Sequence, residues 1–161
     1  MNTLLIQIIH QGFFGGVAAA GFAVLFNYRP SLLPLSFGAG LLALATRTAF
    51  LESGFTLPIA SFFGALAVAI ADRLWKDSRP VRGAVLAIVG AIPMVPGGIA
   101  AKVLITLFVM LGSDSTAIIA ALPEALQGMM TLTFTIAAIG TGLALPSLFQ
   151  PWTQRTREQE E

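Results

Sequence analysis

The sequence predicts an all-α integral membrane protein with about five transmembrane helices, the fourth of them broken at Pro93–Gly98. Two features of the composition lead to this fold class. Hydrophobic residues make up 56% of the 161 residues and charged residues only 11%, against roughly 25% charged in a typical soluble domain. The mean hydropathy is +0.84, and a soluble domain with so few charges would expose a large apolar surface to water. We therefore expect one transmembrane domain over residues 1–150 and a polar cytoplasmic tail over residues 151–161.

The first three predicted helices are apolar stretches of the length that crosses a bilayer, about 20 residues. The first covers residues 3–26, and without a basic segment before it or a cleavage site after it, we do not expect a signal peptide. The second covers residues 31–51, and Gly54 follows it as a helix stop. The third covers residues 57–75, and the polar residues 76–82 after it must lie outside the hydrocarbon.

The fourth stretch, residues 83–111, is too long and too interrupted to be one regular helix. Its 29 residues would extend roughly 43 Å as a helix, which exceeds the ~30 Å hydrocarbon core. Pro93, Pro96, Gly97 and Gly98 lie in its middle, and two prolines followed by paired glycines do not continue a helix. We therefore predict a broken helix here.

The last predicted helical stretch extends to residue 149. Residues 112–116 form a turn with residue types that start helices. Because Pro123 and Glu124 interrupt the apolar composition, we expect residues 115–122 to be interfacial and residues 125–149 to form the fifth span.

The basic residues support a count of five spans. Five spans put seven of them on one side of the membrane, with only Arg47 near the other side: Arg29, Arg73, Lys76, Arg79, Arg82, Arg155 and Arg157. Basic residues favour the cytoplasmic side, so we predict an outside N-terminus and a cytoplasmic C-terminus. Four spans would put some of these residues on the wrong side.

Polar groups within the spans need a reason, because lipid offers them no hydrogen-bond partners. Transporters use broken helices near the membrane midplane, although a proline kink that only shapes packing is the alternative. Lys102 lies about one turn past the break, and we expect it to form one electropositive pocket with the freed amides, with snorkelling to an interface as the alternative. Arg47 either binds substrate or snorkels with Glu52 as its partner.

Two helices carry a polar stripe, formed in the first helix by Gln7, His10 and Gln11 and in the last by Gln127, Thr131 and Thr135. Such stripes indicate either hydrogen bonds between helices or the lining of a polar path. His10 as a proton carrier is a further hypothesis.

Several functions are not expected from this sequence. There is no cysteine and only one histidine, so we predict no disulfide and no metal site within the chain. The formal net charge of +1 gives no electrostatic footprint for nucleic acid. No Walker loop, GxGxxG or Ser-His-Asp set is present, so neither a cofactor nor catalytic residues are expected.

The run Pro93-Met94-Val95-Pro96-Gly97 resembles the threonine/serine exporter (ThrE-like) family. The closest similarity is to its small-subunit type, which is equivalent to the C-terminal half of full-length exporters. Gly21-Phe22-Ala23, Phe26-Asn27, Arg47 and the region 140–148 support the resemblance, which covers essentially the whole chain.

The resemblance implies an exporter of small carboxylate metabolites, either threonine and serine or a dicarboxylate such as succinate. It also implies a second membrane subunit similar to the family's N-terminal domain, and a place in the bacterial inner membrane. The role of Lys102 rests on the residues and not on the resemblance. The predicted substrate-binding residues are Asn27, Arg47, Pro93, Pro96, Gly97, Gly98 and Lys102. A non-transporting scaffold subunit is the alternative function, and a membrane enzyme subunit is a weaker one because no acid, base or nucleophile converges.

Overall fold

The computed structural model describes residues 2–76 and 85–148 of the chain. This part contains six α-helices, which are α1 (Asn2–Leu25), α2 (Leu33–Glu52), α3 (Leu57–Lys76), α4 (Val85–Ala91), α5 (Gly97–Leu111) and α6 (Ser115–Leu148). Short 3-10 turns cover Pro30–Leu32 and Ile92–Met94. Four helices are long and apolar enough to cross a membrane, or up to five if the bent pair formed by residues 85–94 and 97–111 is one span. The predicted tail and the predicted polar loop after residue 76 lie outside the described residues.

Helix α1 ends where one residue, Asn27, adopts the left-handed backbone conformation. Asn27 has φ 58°, a conformation that asparagine tolerates better than most residues. Its N–H donates to the Val24 carbonyl at 2.9 Å, and the Tyr28 N–H donates to the Ala23 carbonyl at 2.9 Å. These two bonds form a Schellman motif, which satisfies the last carbonyl groups of the helix.

The end of α2 repeats this motif with glycine. Gly54 has φ 89° and donates to the Leu51 carbonyl at 3.0 Å, while Phe55 donates to the Phe50 carbonyl at 3.1 Å. The rings of Phe50 and Phe55 also pack together, with centroids 5.4 Å apart, which is the apolar contact that often accompanies this motif. The prediction of Gly54 as a helix stop is confirmed.

Small residues let the helices of the bundle approach closely. At Gly40 in α2, an added Cβ would lie 2.5 Å from the Cβ of Ala19 in α1. At Gly142 in α6, it would lie 2.7 Å from the carbonyl oxygen of Phe62 in α3. Such contacts are the usual basis of helix packing in lipid. One hydrophobic core cluster of the bundle consists of Ala39, Ala43, Ala65, Val68, Ala91, Met94 and Ile139.

The long helical stretch predicted at the end of the chain is present as α6, one helix of 34 residues that continues through Pro123. A proline removes a single N–H donor from a helix, and the turns on both sides of Pro123 retain theirs. The helix also starts firmly, since the Asp114 carboxylate accepts a hydrogen bond from the Ala117 N–H at 3.1 Å. An N-cap of this kind satisfies a donor that the first turn leaves free. Residues 115–122 are therefore the first turns of α6, and their interfacial position stays a prediction.

Only the second half of α6 lies along the bundle. Pro58, at the start of α3, lines the same surface groove as Phe134 in α6, and Gly142 packs against Phe62. Because the two helices run parallel, residues 115–133 extend roughly 28 Å past the start of α3 at about 1.5 Å per residue. These residues pack against α5, and together they form a projecting unit that we call the α5–α6 hairpin, residues 97–111 and 115–133.

Candidate functional site

The predicted break is present and lies between Met94 and Gly97. The helical segments on its two sides, residues 85–94 and 97–111, are bent by 50° relative to each other. Val95 is extended, with φ −61° and ψ 125°, and the Ala100 N–H donates to the Pro96 carbonyl at 3.1 Å, which starts α5. Gly97 has no atom within 4 Å of an added Cβ. The break is therefore open on the side of α5 and packed on the side of α4.

Arg47 connects α2 to the break. Its guanidinium Nη1 donates to the Met94 carbonyl oxygen at 2.8 Å, and this carbonyl ends the first segment of the broken helix. A cation suits this position because the C-terminal end of a helix carries partial negative charge. Glu52 was the predicted partner of a snorkelling Arg47, but the structure gives Arg47 this bond to the broken helix instead, and substrate binding by Arg47 stays a prediction.

The break lies nearer to the middle of the bundle than to its end, since α3, with 20 residues, is roughly 30 Å long. A Cβ on Gly64 of α3 would lie 2.8 Å from the Met94 Sδ, and Gly64 is about 10 Å from the start of α3 at roughly 1.5 Å per residue. Ser61, one turn earlier on α3, is fully buried. Its hydroxyl has no hydrogen-bond partner within the described residues. A buried polar group without a partner is unusual in a folded protein and calls for an explanation. Ser61 is a candidate that the sequence did not reveal.

Lys102 lies apart from the break and is paired. Its Nζ is 2.7 Å from Glu124 Oε1 on α6, and the two side chains are 72% and 61% exposed. None of residues 93–98 lines the groove that contains this pair. The prediction of one electropositive pocket shared by Lys102 and the break is therefore wrong, because Glu124 neutralises the lysine and Lys102 points across to α6.

The groove between α5 and α6 gathers most polar side chains of the hairpin. We call it the α5–α6 groove; its volume is about 250 Å³, and its lining consists of Ile99, Lys102, Val103, Thr106, Glu124, Gln127, Gly128 and Thr131. Pockets for drug-sized ligands occupy roughly 300–1,000 Å³, so this groove suits a smaller molecule. The close contact that shapes it is at Gly128, where an added Cβ would lie 2.5 Å from a methyl group of Val103.

The polar stripe of α6 runs into this groove. Gln127 and Thr131 line it, and the Thr131 hydroxyl donates to the Gln127 carbonyl at 2.8 Å. Thr135 is fully buried and donates to the Thr131 carbonyl at 2.6 Å. The stripe thus combines two groove residues with one residue whose hydroxyl is used within the helix.

The polar stripe of α1 does not line the groove. Gln7, His10 and Gln11 are exposed, while the buried positions of α1, such as Gly15 and Gly16, pack against α2. The structure does not bring the stripes of α1 and α6 together, and His10 makes a ring contact with Phe14 at 4.7 Å. The role of this stripe as a polar path stays a prediction.

Asn27 is also distant from the hairpin. It follows α1, at the end of the bundle opposite to the loop between α2 and α3, and its left-handed backbone has a structural role. Substrate binding by Asn27 stays a prediction, as it does for the prolines and glycines of the break. No group of three or more His, Asp or Glu side chains in the described ranges is placed to hold a metal ion.

The chain is similar to known proteins over most of its length. A family model described as "Threonine/Serine exporter, ThrE" matches residues 11–149. An uncharacterized protein of Haemophilus influenzae is 29% identical over 155 residues, which cover 92% of this chain and 49% of that protein. The chain thus spans about half the length of this curated relative. No solved structure matches the chain.

Proposed function

This chain belongs to the threonine/serine exporter family, and we propose that it is the membrane subunit of a secondary exporter of small carboxylate metabolites. The proposed substrates are threonine and serine, or a dicarboxylate such as succinate. The observation that carries the proposal is the family match, which covers residues 11–149 and so includes every helix that forms the break and the α5–α6 groove. The chain is a multi-pass membrane protein of a transporter family, and we propose that it has no catalytic activity of its own.

A second membrane subunit is part of the proposal, and two observations support it. The α5–α6 hairpin projects from the bundle and exposes large apolar side chains, among them Phe108 at 72% and Leu111 at 83%. Contiguous apolar surface of this kind marks contact with lipid or with another protein. The relative from Haemophilus influenzae is about twice as long as the matched region, so its remaining half is long enough to supply such a subunit in the same chain.

The proposed location is the bacterial inner membrane, with the N-terminus outside and the C-terminus in the cytoplasm. The distribution of Lys and Arg supports this orientation, because cytoplasmic loops carry an excess of basic residues. In this orientation the loop between α2 and α3 and the α5–α6 hairpin both lie at the outer end of the bundle.

Export from cells tests the proposal directly. A host strain that lacks its own exporters would carry this chain alone, a membrane protein resembling the family's N-terminal domain alone, or both. Serine, threonine and succinate would be measured in the medium after loading the cells. We expect export of at least one of these substrates only when both proteins are present.

The controls separate the parts of the proposal. Membrane abundance of the chain would be measured in every strain, so that loss of protein is not taken for loss of export. Export by this chain alone would overturn the two-subunit proposal but would still support the proposed exporter function. No export of any of the three substrates by the pair, at normal abundance, would contradict the exporter itself.

A further inference from the structure

We propose that the α5–α6 groove binds the ammonium and carboxylate groups of a zwitterionic amino acid through Glu124 and Lys102, and that it discriminates against dicarboxylates. This inference rests on the proposed function and chooses between its substrate classes. The two charged atoms of the pair are 2.7 Å apart. An α-amino acid carries its own opposite charges on neighbouring atoms of one carbon, so it matches the pair charge for charge.

The placement of the pair indicates a binding role. The hairpin surface around the groove is apolar, with Leu104, Ile105 and Met130 each more than half exposed. Both helices belong to candidate membrane spans, and ionisable residues within such spans are rare and point to a functional site. Because both side chains are largely open to the groove, a ligand reaches each of them without any change in the fold.

The charge balance of the groove sets its selectivity. Lys102 and Glu124 are the two charged residues among its lining residues, so the groove is neutral overall. A bound zwitterion replaces the ion pair between Lys102 and Glu124 with two ion pairs, one to each side chain. The second carboxylate of a dicarboxylate would instead lie next to Glu124 and be repelled. Discrimination between ligands often depends on such a repulsive element as much as on an attractive one.

The rest of the lining suits a hydroxyl group on the ligand. The hydroxyls of Thr106 and Thr131 donate to the carbonyls of Lys102 and Gln127 at 2.9 and 2.8 Å. Their oxygens therefore remain free to accept a hydrogen bond from a ligand. Serine and threonine each carry a hydroxyl donor, and a groove of about 250 Å³ accommodates molecules of this size.

The test is competition binding on the purified full chain in detergent. Radiolabelled threonine is the probe, and unlabelled succinate is the competitor. Glu124→Gln keeps the shape of the side chain and removes its charge, while Lys102→Met keeps most of the stem. Glu52→Gln, at the exposed end of α2, is the matched control for loss of one carboxylate. Thermal unfolding of each variant checks that the fold is unchanged.

We expect each groove variant to weaken threonine binding by about tenfold or more, the effect of losing a charged hydrogen bond. Succinate should compete poorly with threonine for binding to wild type. It should compete better for binding to Glu124→Gln, because that variant removes the repelling charge. Glu52→Gln should behave as wild type. A purely structural role for the pair would not move the ratio of succinate to threonine affinity.

The proposal is overturned if wild type binds no threonine, if Glu124→Gln binds threonine normally, or if it leaves the succinate-to-threonine ratio unchanged. These outcomes are distinct from failure of the proposed function. A chain that binds threonine through this groove but supports no export would contradict the function and keep the site. A chain that supports export while Glu124→Gln binds threonine normally would contradict the site and keep the function.

Discussion

Replacing Arg47 with Met should destabilise the chain by a predictable amount. The change removes the 2.8 Å hydrogen bond from the guanidinium to the Met94 carbonyl, and no other donor to this carbonyl is found among the described residues. The Met94 side chain is fully buried, so the segment is held in place and its carbonyl does not readily turn to a new donor. A hydrogen bond to a charged group contributes about 1.5–3 kcal/mol to stability.

This loss converts into a shift in melting temperature. For a chain of this size, 1 kcal/mol corresponds to roughly 2–4 °C, so Arg47→Met should melt about 3–12 °C below wild type. The measurement is thermal unfolding of the purified protein in detergent. Arg29→Met is the matched control, because Arg29 is exposed and its loss should leave the melting temperature nearly unchanged.

A second measurement reports on the bend itself. Since the chain has no cysteine, spin labels can be attached at cysteines that replace Ile88 and Phe108, which are 52% and 72% exposed on opposite sides of the break. The distance distribution should broaden in Arg47→Met, because the first segment loses its tie to α2. An unchanged melting temperature together with an unchanged distribution would refute this role of Arg47.

Three further predictions follow from other contacts. Gly142→Ala should destabilise the chain by about 1–3 kcal/mol through overpacking against α3, whereas Gly140→Ala, with no atom within 4 Å of its new Cβ, should raise the melting temperature slightly; equal effects would contradict the packing argument. Hydrogen bonds from the Ala117 N–H and then the Thr116 hydroxyl hold the pKa of the Asp114 carboxyl below its ordinary value of 3.8. The advantage of wild type over Asp114→Asn should therefore be present above that pH and vanish as pH falls through the lowered pKa; melting temperatures of both proteins measured from pH 7 downwards check this, and a difference that does not shrink as the pH falls would exclude it. Finally, Ser53→Cys should react with an impermeant thiol reagent on intact cells and Ser31→Cys should not, and the reverse result would invert the orientation.

The helix boundaries and the break were predictable because local chemistry determines them. Gly54 ends a helix through its own backbone conformation, and the two prolines of the break interrupt helical hydrogen bonds wherever the chain places them. The effect of Pro123 on the last helix was less predictable, because whether a single proline ends or only perturbs a helix depends on the turns around it.

The contacts of the candidate site were beyond prediction for a different reason. Lys102 and Glu124 are on separate helices, and sequence spacing carries information about neighbours within a helix but not across two of them. The bond from Arg47 to Met94 joins residues 47 positions apart and ends on a backbone carbonyl, which has no signature in the sequence. The resemblance to a family gave the class of protein, while the pairing of its charges required the structure.

The threonines of α6 give the hairpin a mechanical property. The hydroxyls of Thr131 and Thr135 bond to carbonyls four residues earlier, a pattern that bends helices. Met94 and Ile139 share one core cluster, so the break before α5 lies within about one to two turns of these threonines along α6. The two connections between the hairpin and the bundle thus both carry a feature that favours bending, and these features lie close together in the fold. A tilt of the hairpin at this level would move the groove relative to the bundle while the core of small residues stays packed. Rigid-body movement of this kind is used in alternating access.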